Sequence, residues 1–257
     1  MSGKIFGIGV GPGNPALLTV RAVQVLRRVA AIMAPTSESH GTSLALKIVH
    51  SYLRADCQVH QVHFPMTAER DACQAAWDSA AATLLRLASA DVSVAFVTVG
   101  DALLYSTWAY VLAALRRAKA DVYLETVPGV TAMSACAATT SWSLAQGSEP
   151  LLIWPDKPPE DVGKLLEIAP SMVFMKADHH LSSLADMVER ADAQAVAVRR
   201  ASQPEAEMTT DLRAWSGTRD YFTTVLLRRR PQQAAQDRTD TASGGPEQAF
   251  VERAGER

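Results

Sequence analysis

The fold of this chain is decided by residues 92–117, VSVAFVTVGDALLYSTWAYVLAALRR. The stretch opens with a continuous apolar run, typical of a strand buried in a parallel sheet, and closes with the spacing of an amphipathic helix. Gly100 and Asp101 lie between the two. Open parallel sheets bind ligands beyond the carboxyl ends of their strands, so a ligand-binding loop is one interpretation of this site. An ordinary strand-to-helix turn explains this stretch alone equally well.

Composition limits the classes of function. The chain has 257 residues, of which 48% are hydrophobic and 20% charged, which predicts one large α/β domain or two of ordinary size. Its net charge of −2 and the lack of basic-aromatic runs argue against nucleic acid as a partner. No membrane-length apolar run and no secretion signal is visible, so we expect a cytoplasmic protein that does not bind membranes. Cys57, Cys73 and Cys136 are expected to be reduced thiols.

The first half of the sequence alternates strand and helix patterns. Residues 4–10 (KIFGIGV) predict a central strand, Thr19 can cap a helix, and residues 31–34 predict a second strand before Pro35. This order makes a βαβ unit, whose strands are parallel because such crossovers are right-handed in nearly all cases. Further elements are expected as helices at 44–52, 68–88 and 105–119 and as strands at 58–64 and 92–99.

The glycine-rich loop after the first strand suggests a dinucleotide-binding fingerprint but departs from it. If Gly7 and Gly9 are its first two glycines, Pro12 stands at the third position and has no amide hydrogen for a pyrophosphate. No acidic residue ends the second strand. Three interpretations remain open: a dinucleotide site, a structural turn, and a loop that lines another ligand.

A third loop of the same kind follows the strand at residues 122–127. Pro128 stiffens its entry, Gly129 permits close approach of a ligand, and Thr131 can cap the helix at 133–139. The loop can therefore form a small polar cradle. The small residues of that helix also fit tight packing alone.

The remainder predicts a second α/β domain with a mixed sheet, because strands follow one another directly near its end. We place the first domain at residues 1–120, the second at 121–231 and a mobile tail at 232–257. The strands of the second domain are expected at 150–154, 171–176, 193–198, 207–212 and 221–229, and its helices at 161–168 and 179–189.

Three motifs in this order resemble those of the tetrapyrrole methylase family: GIGVGPGNPALLT (7–19), GDALLYST (100–107) and VPGVTAMSACAA (127–138). The resemblance covers residues 4–230. It departs from the family pattern at Asn14, where Asp is common, and at Ala102, where Pro is common. The resemblance implies two α/β domains with the active site in the cleft between them, S-adenosylmethionine as methyl donor, and a homodimer.

Within the family, the YST of the middle motif and DYFTTVLLRR (220–229) are most similar to members that methylate C20 of precorrin-2, giving precorrin-3A in cobalamin synthesis. The resemblance thus implies precorrin-2 as substrate, with the cobalt-loaded form or another precorrin methylase as alternatives. By the same resemblance, the residues that hold the methyl donor, mainly through main chain, are Pro12, Gly100, Asp101, Ala102, Tyr105, Ser106, Thr107, Thr131, Ala132, Met175, Ala201 and Ser202.

Little side-chain chemistry is required, because a methyl group on a sulfonium is already activated and mainly has to be aligned and kept from water. Loss of the C20 proton would be helped by a base, for which Asp101, Lys176 and Tyr123 are candidates. Lys176 could equally bind a substrate carboxylate, and Met175 could be core packing. The adjacent His179 and His180 do not face one ligand on a helix, so no metal site is predicted. The alternative to an enzyme is a binding module that senses a nucleotide.

Overall fold

Two five-stranded sheets form the framework of the chain. The structure is a computed structural model that describes residues 3–36, 43–65, 69–88, 92–118, 121–217 and 220–230. The predicted tail at 232–257 lies outside these residues. In the described ranges, no helix has both the length and the apolar character needed to cross a membrane. The predicted pair of α/β units, one with a parallel and one with a mixed sheet, is confirmed.

The first sheet is entirely parallel, with strand order β3-β2-β4-β1-β5. Its strands are β1 (Lys4–Gly9), β2 (Ala31–Thr36), β3 (Gln58–His63), β4 (Ser93–Thr98) and β5 (Tyr123–Val127). Helices α1 (Val20–Leu26) and α2 (Leu44–Val49) pack on one face, and α3 (Arg70–Leu87) and α4 (Thr107–Arg117) on the other. From β1 the chain crosses toward β2, and from β4 it crosses the other way toward β5. The switch point of the sheet therefore lies between β1 and β4, where such sheets bind ligands.

The second sheet is mixed, with strand order β6-β7-β10-β8-β9 and only β6 and β7 parallel. Its strands are β6 (Leu151–Pro155), β7 (Ser171–Met175), β8 (Ala193–Arg199), β9 (Glu207–Thr209) and β10 (Thr223–Arg229). Helix α5 (Ala132–Thr140) packs on one face, and α6 (Val162–Ile168) and α7 (Leu181–Arg190) on the other. Both faces of the sheet are thus covered by helices.

Several predicted boundaries differ from the structure. Strand β5 pairs with β1, so the first sheet extends to Val127 and not to residue 120. The second unit therefore begins with α5. Strand β2 continues through Pro35 to Thr36. Its pairing with β4 ends at Met33, so no N–H is needed from residue 35 on that side and a proline is tolerated. The predicted strand at 207–212 ends at Thr209, and the helix predicted from residue 105 begins only at Thr107.

Three backbone segments meet without side chains between them at the carboxyl edge of the first sheet. An ideal Cβ built on Gly129 would lie 2.3 Å from the carbonyl oxygen of Gly100 and 2.7 Å from that of Gly9. A Cβ on Gly9 would likewise lie 2.7 Å from the Gly129 nitrogen. Real Cβ atoms do not approach backbone so closely, so the ends of β1, β4 and β5 can converge only through glycine.

Glycine also serves packing inside β1. A Cβ on Gly7 would lie 1.9 Å from the indole of Trp108, which is fully buried and donates from Nε1 to Thr126 Oγ1 at 2.9 Å. The Gly7-x-Gly9 pattern is therefore explained by a tryptophan of α4 and by loop convergence, and no nucleotide is required to account for it.

We predict that Gly129→Ala lowers the free energy of unfolding by about 2–3 kcal/mol, because the added methyl group must displace backbone. Urea unfolding followed by circular dichroism measures this. Gly163→Ala is the matched control: its Cβ would meet only a side-chain oxygen of Asp161 at 3.2 Å, and it lies in α6, where alanine favours the helix. Equal stability of the two variants would contradict the convergence of the three loops.

Candidate functional site

The loops after β1 and β4 are joined by a two-residue antiparallel bridge between Gly11 and Gly100. The N–H of Gly100 donates to the Gly11 carbonyl at 2.7 Å, and the N–H of Gly11 donates back at 3.2 Å. Gly100 has φ +75°, and a Cβ there would meet no described atom within 4 Å. One side of this loop is therefore open at the switch point of the sheet, and only a residue without a side chain leaves its backbone accessible there.

Asp101 fastens this loop to its neighbour. Its Oδ1 accepts the N–H of Leu103 at 2.8 Å, which shapes its own turn, and its Oδ2 accepts the N–H of Gly129 at 3.0 Å. Each carboxylate oxygen thus accepts a main-chain hydrogen bond, and one of these bonds spans the loops after β4 and β5. The carboxylate lies at the predicted place and holds two of the three loops in register.

The backbone of Tyr105 and the cap at Ser106 explain why α4 begins at Thr107 and not at Tyr105. Tyr105 has φ +51°, outside the helical range, and the buried Ser106 hydroxyl accepts the N–H of Trp108 at 3.1 Å as the cap of α4. Ser106 Oγ in turn donates to Thr98 Oγ1 at 3.2 Å. The Tyr105 hydroxyl donates to the carbonyl of Ile153 in β6 at 3.1 Å. This segment therefore links the first sheet to the edge of the second.

The third loop leads into α5 as predicted. Thr131 caps the helix by accepting the N–H of Ser134 at 3.2 Å, and Ala132 is its first residue. Along the same helix Cys136 packs against the second sheet, and burial raises the pKa of its thiol to about 12. This thiol is consequently neutral at physiological pH and is a packing residue rather than a nucleophile.

The second sheet turns one edge toward these loops. Met175 at the end of β7 pairs with Thr224, and Met175 and Ala201 pack in the same cluster as α5. Beyond β8, Ser202 Oγ accepts the N–H of Asn14 at 3.1 Å, and Gln203 Nε2 donates to the carbonyl of the buried Pro12 at 3.3 Å. The carboxyl ends of β7 and β8 therefore lie beside the strand-end loops of the first sheet, and the region between these loops and strand ends is called the cleft below.

The predicted residues fall into two sets. Most are brought to the two facing edges of this cleft: Pro12, Gly100, Asp101, Ala102, Tyr105, Ser106, Thr107, Thr131, Ala132, Met175, Lys176, Ala201 and Ser202. Tyr123 is separated from them, because it begins β5 and pairs with Lys4 at the amino edge of the first sheet. Its hydroxyl donates to Glu125 Oε2 at 3.4 Å.

The two departures from the family pattern keep the backbone geometry. Asn14 Oδ1 accepts the N–H of Ala16 at 2.9 Å, a bond that an aspartate oxygen could also accept. Ala102 is fully buried, and its nitrogen would lie 2.9 Å from a Cβ on Gly9. Neither change removes a contact that shapes the loops.

The adjacent histidines His179 and His180 each lie beside a different carboxylate. His179 Nε2 lies 3.5 Å from Asp178 Oδ2, and His180 Nε2 lies 3.3 Å from Asp156 Oδ1, in two separate pairs. Within the described residues, no three His, Cys, Asp or Glu side chains come together in a way that could hold a metal ion.

Two residues at the cleft were missed by the sequence analysis. Gln203 bonds the loop of Pro12, and Tyr221 lies beside Lys176 just before β10. The usable signal was their position: Tyr221 begins the strand predicted at 221–229, and Gln203 follows the strand predicted at 193–198. Their partners come from distant parts of the chain, and no local pattern gives them.

Comparison with known proteins agrees with this arrangement. A family model described as Tetrapyrrole (Corrin/Porphyrin) Methylases matches residues 4–214. The cobalt-precorrin-2 C(20)-methyltransferase of Salmonella typhimurium is 34% identical, over 88% of this chain and 97% of that protein. The precorrin-2 C(20)-methyltransferase of a Sinorhizobium species is 30% identical, over 88% and 95%.

A solved structure shares the fold. It is the uroporphyrin-III C-methyl transferase from Thermus thermophilus complexed with S-adenyl homocysteine, which superposes with a TM-score of 0.62 over 88% of this chain and 97% of that one, at 16% identity. At this identity the likeness concerns the arrangement of sheets and helices.

We predict that Asp101→Asn lowers the free energy of unfolding by about 1–3 kcal/mol, because an amide has one acceptor oxygen and leaves one of the two main-chain donors facing its NH₂ group. Thermal unfolding measures the loss, with the exposed Asp121→Asn as control. An unchanged melting temperature for Asp101→Asn would show that the carboxylate does not fasten the loops.

Proposed function

This chain belongs to the tetrapyrrole (corrin/porphyrin) methylase family, and on that premise we propose that it transfers a methyl group from S-adenosylmethionine to C20 of precorrin-2 or its cobalt-loaded form. The observation that carries the proposal is the agreement of two relatives named for C20 methylation with this chain over 88% of its length. A homodimer, supported by the family resemblance, and a cytoplasmic location are part of the same proposal.

The cleft fits a methyl donor held mainly through main-chain atoms. Gly100 leaves open space beside its backbone, and small or hydroxyl side chains surround it where α4 and α5 begin. When bound, S-adenosylmethionine supplies a methyl group already activated by its sulfonium. The residues proposed to hold it are Pro12, Gly100, Asp101, Ala102, Tyr105, Ser106, Thr107, Thr131, Ala132, Met175, Ala201 and Ser202.

Positioning is the main task of these residues. The convergence of Gly9, Gly100 and Gly129 fixes the floor of the cleft, and Asp101 keeps two of its loops in register. Such fixed geometry aligns two bound reactants without further reorganisation, and a closed cleft limits side reactions with water.

A base at the cleft would accept the proton that leaves C20. Each Asp101 oxygen accepts one main-chain bond and retains a second lone pair, so Asp101 remains our proposed base. Lys176 lies at the same cleft but is not our proposed base. Tyr123 is not included, because β5 holds it at the opposite edge of the sheet.

The proposed methyl-donor site is tested by calorimetry with S-adenosylhomocysteine. We predict binding to the wild-type chain and a loss of affinity of about tenfold or more in Gly100→Ala, whose methyl group would project into the open space beside the loop. Gly147→Ala is the matched control: it has φ +55° and equally open surroundings but lies in the turn before β6. It carries the same backbone strain and should bind normally. Binding of NAD in place of S-adenosylhomocysteine would point to the dinucleotide interpretation.

The metal state of the substrate is tested by comparing initial rates. The relatives include proteins named for either form, at 34% and 30% identity. No group that could hold a metal ion is found among the described residues, so any metal requirement would come with the substrate as chelated cobalt. We prefer metal-free precorrin-2 as the substrate and expect it to be methylated without added cation. Rates on metal-free and cobalt-loaded substrate decide the question. Turnover of the cobalt form alone would overturn the preference for metal-free precorrin-2.

A further inference from the structure

Lys176 and Tyr221 lie side by side at the cleft-facing edge of the second sheet. Lys176 follows Met175, the last residue of β7, and Tyr221 precedes β10, whose Thr224 pairs with Met175. The same edge carries Ser202, which contacts Asn14 of the first unit. The pair is therefore placed on the side from which a substrate in the cleft would be reached.

The side chain of Lys176 is held against an aromatic face. Its backbone is left-handed, with φ +59°, and its Nζ lies 5.2 Å from the centroid of the Tyr221 ring, within the range of a cation–π contact. The Tyr221 ring is itself held edge-on by Phe222, with centroids 5.5 Å apart and planes at 88°. It remains 43% exposed. A flexible lysine is thus given a preferred position beside a partly open ring.

No described neighbour neutralises the charge of Lys176. Within the residues that the structure describes, no carboxylate oxygen lies within 4 Å of its Nζ, whereas the nearby Arg200 is paired with Asp220 at 2.6 Å. Asp220 also accepts the N–H of Phe222 at 3.0 Å, so its other oxygen is committed to the turn before β10. One cation at this edge is therefore satisfied within the chain, and the other is available to an anion.

We infer that Lys176 binds a peripheral carboxylate of the tetrapyrrole and that Tyr221 is a positioning residue acting through it; this rests on the function proposed above. Beside the ring face, the Lys176 ammonium group can donate to a carboxylate and has no lone pair with which to accept a proton. The arrangement thus favours substrate binding over the role of base. The carboxylates around a tetrapyrrole provide the complementary charge, and a fixed ammonium group selects one of them.

Steady-state kinetics with four variants tests this. Lys176→Met should raise KM for the tetrapyrrole about tenfold with kcat and the affinity for S-adenosylhomocysteine nearly kept. Tyr221→Leu should raise KM by a smaller factor, and Tyr221→Phe, which keeps the ring face, should restore most of it. The double variant Lys176→Met/Tyr221→Leu should be no worse than Lys176→Met alone, because Tyr221 acts through the lysine. Tyr110→Leu on α4, an exposed tyrosine stacked on Trp77, is the control for loss of a tyrosine.

The alternatives give different results. A fall in kcat with unchanged KM in Lys176→Met would make the lysine a base and overturn the inference. Additive effects of the two substitutions would mean that Tyr221 contacts the macrocycle independently, which overturns its positioning role.

A binding measurement separates this inference from the proposed function. Uroporphyrin, a stable tetrapyrrole with carboxylates on its periphery, is titrated into wild-type protein and Lys176→Met at low and high salt. We expect about tenfold weaker binding in the variant at low salt and a smaller difference at high salt. Equal binding by both proteins contradicts the carboxylate site even if methyl transfer occurs. Absent methyl transfer with Lys176-dependent binding instead contradicts the proposed reaction.

Discussion

The convergence of three backbone segments at Gly9, Gly100 and Gly129 is the constraint on which the rest of the structure depends. Each would-be Cβ at Gly9 and Gly129 lies within 3 Å of neighbouring main chain, so the ends of β1, β4 and β5 touch directly. The convergence coincides with the switch point of the sheet, and Asp101 completes it by accepting the N–H of Gly129. The floor of the cleft is therefore made of backbone, which suits a ligand held by main-chain groups.

A few specific contacts join the second unit to this floor, and residues with left-handed backbone lie beside them. Non-glycine residues with positive φ recur where the two sheets face each other: Tyr105, Asp156, Lys176, Arg200 and Ser202. Each left-handed residue costs about 1 kcal/mol, and such strain is retained where surrounding contacts fix it, often at functional sites. Here the fixing contacts are visible, as in Ser202 with Asn14 and in Arg200 with Asp220. These contacts fix the backbone at the cleft-facing edge of the second sheet, just as the glycine contacts fix the floor of the cleft opposite.

The sequence predicted much of this because buried parallel strands have continuous apolar runs and end in glycine loops, as β1 and β4 do. It misassigned β5 to the second unit, because the pairing of Tyr123 with Lys4 joins residues far apart in the chain and leaves no local signal. The Asp101 position was predicted, but its bond to Gly129 was not, since the two loops meet only in three dimensions. Contacts across the cleft, such as that of Gln203 with Pro12, likewise could not be predicted from a local sequence pattern.

We propose that this cleft directs a methyl group to C20 of a precorrin-2-type ring. The most direct measurement is carbon-13 NMR of the product formed from precorrin-2 and S-adenosylmethionine that carries a carbon-13 methyl group. We expect a single enriched methyl resonance whose protons correlate with C20 and its neighbouring ring carbons. Enrichment of a methyl group at any other ring carbon, or a product without label, would contradict it.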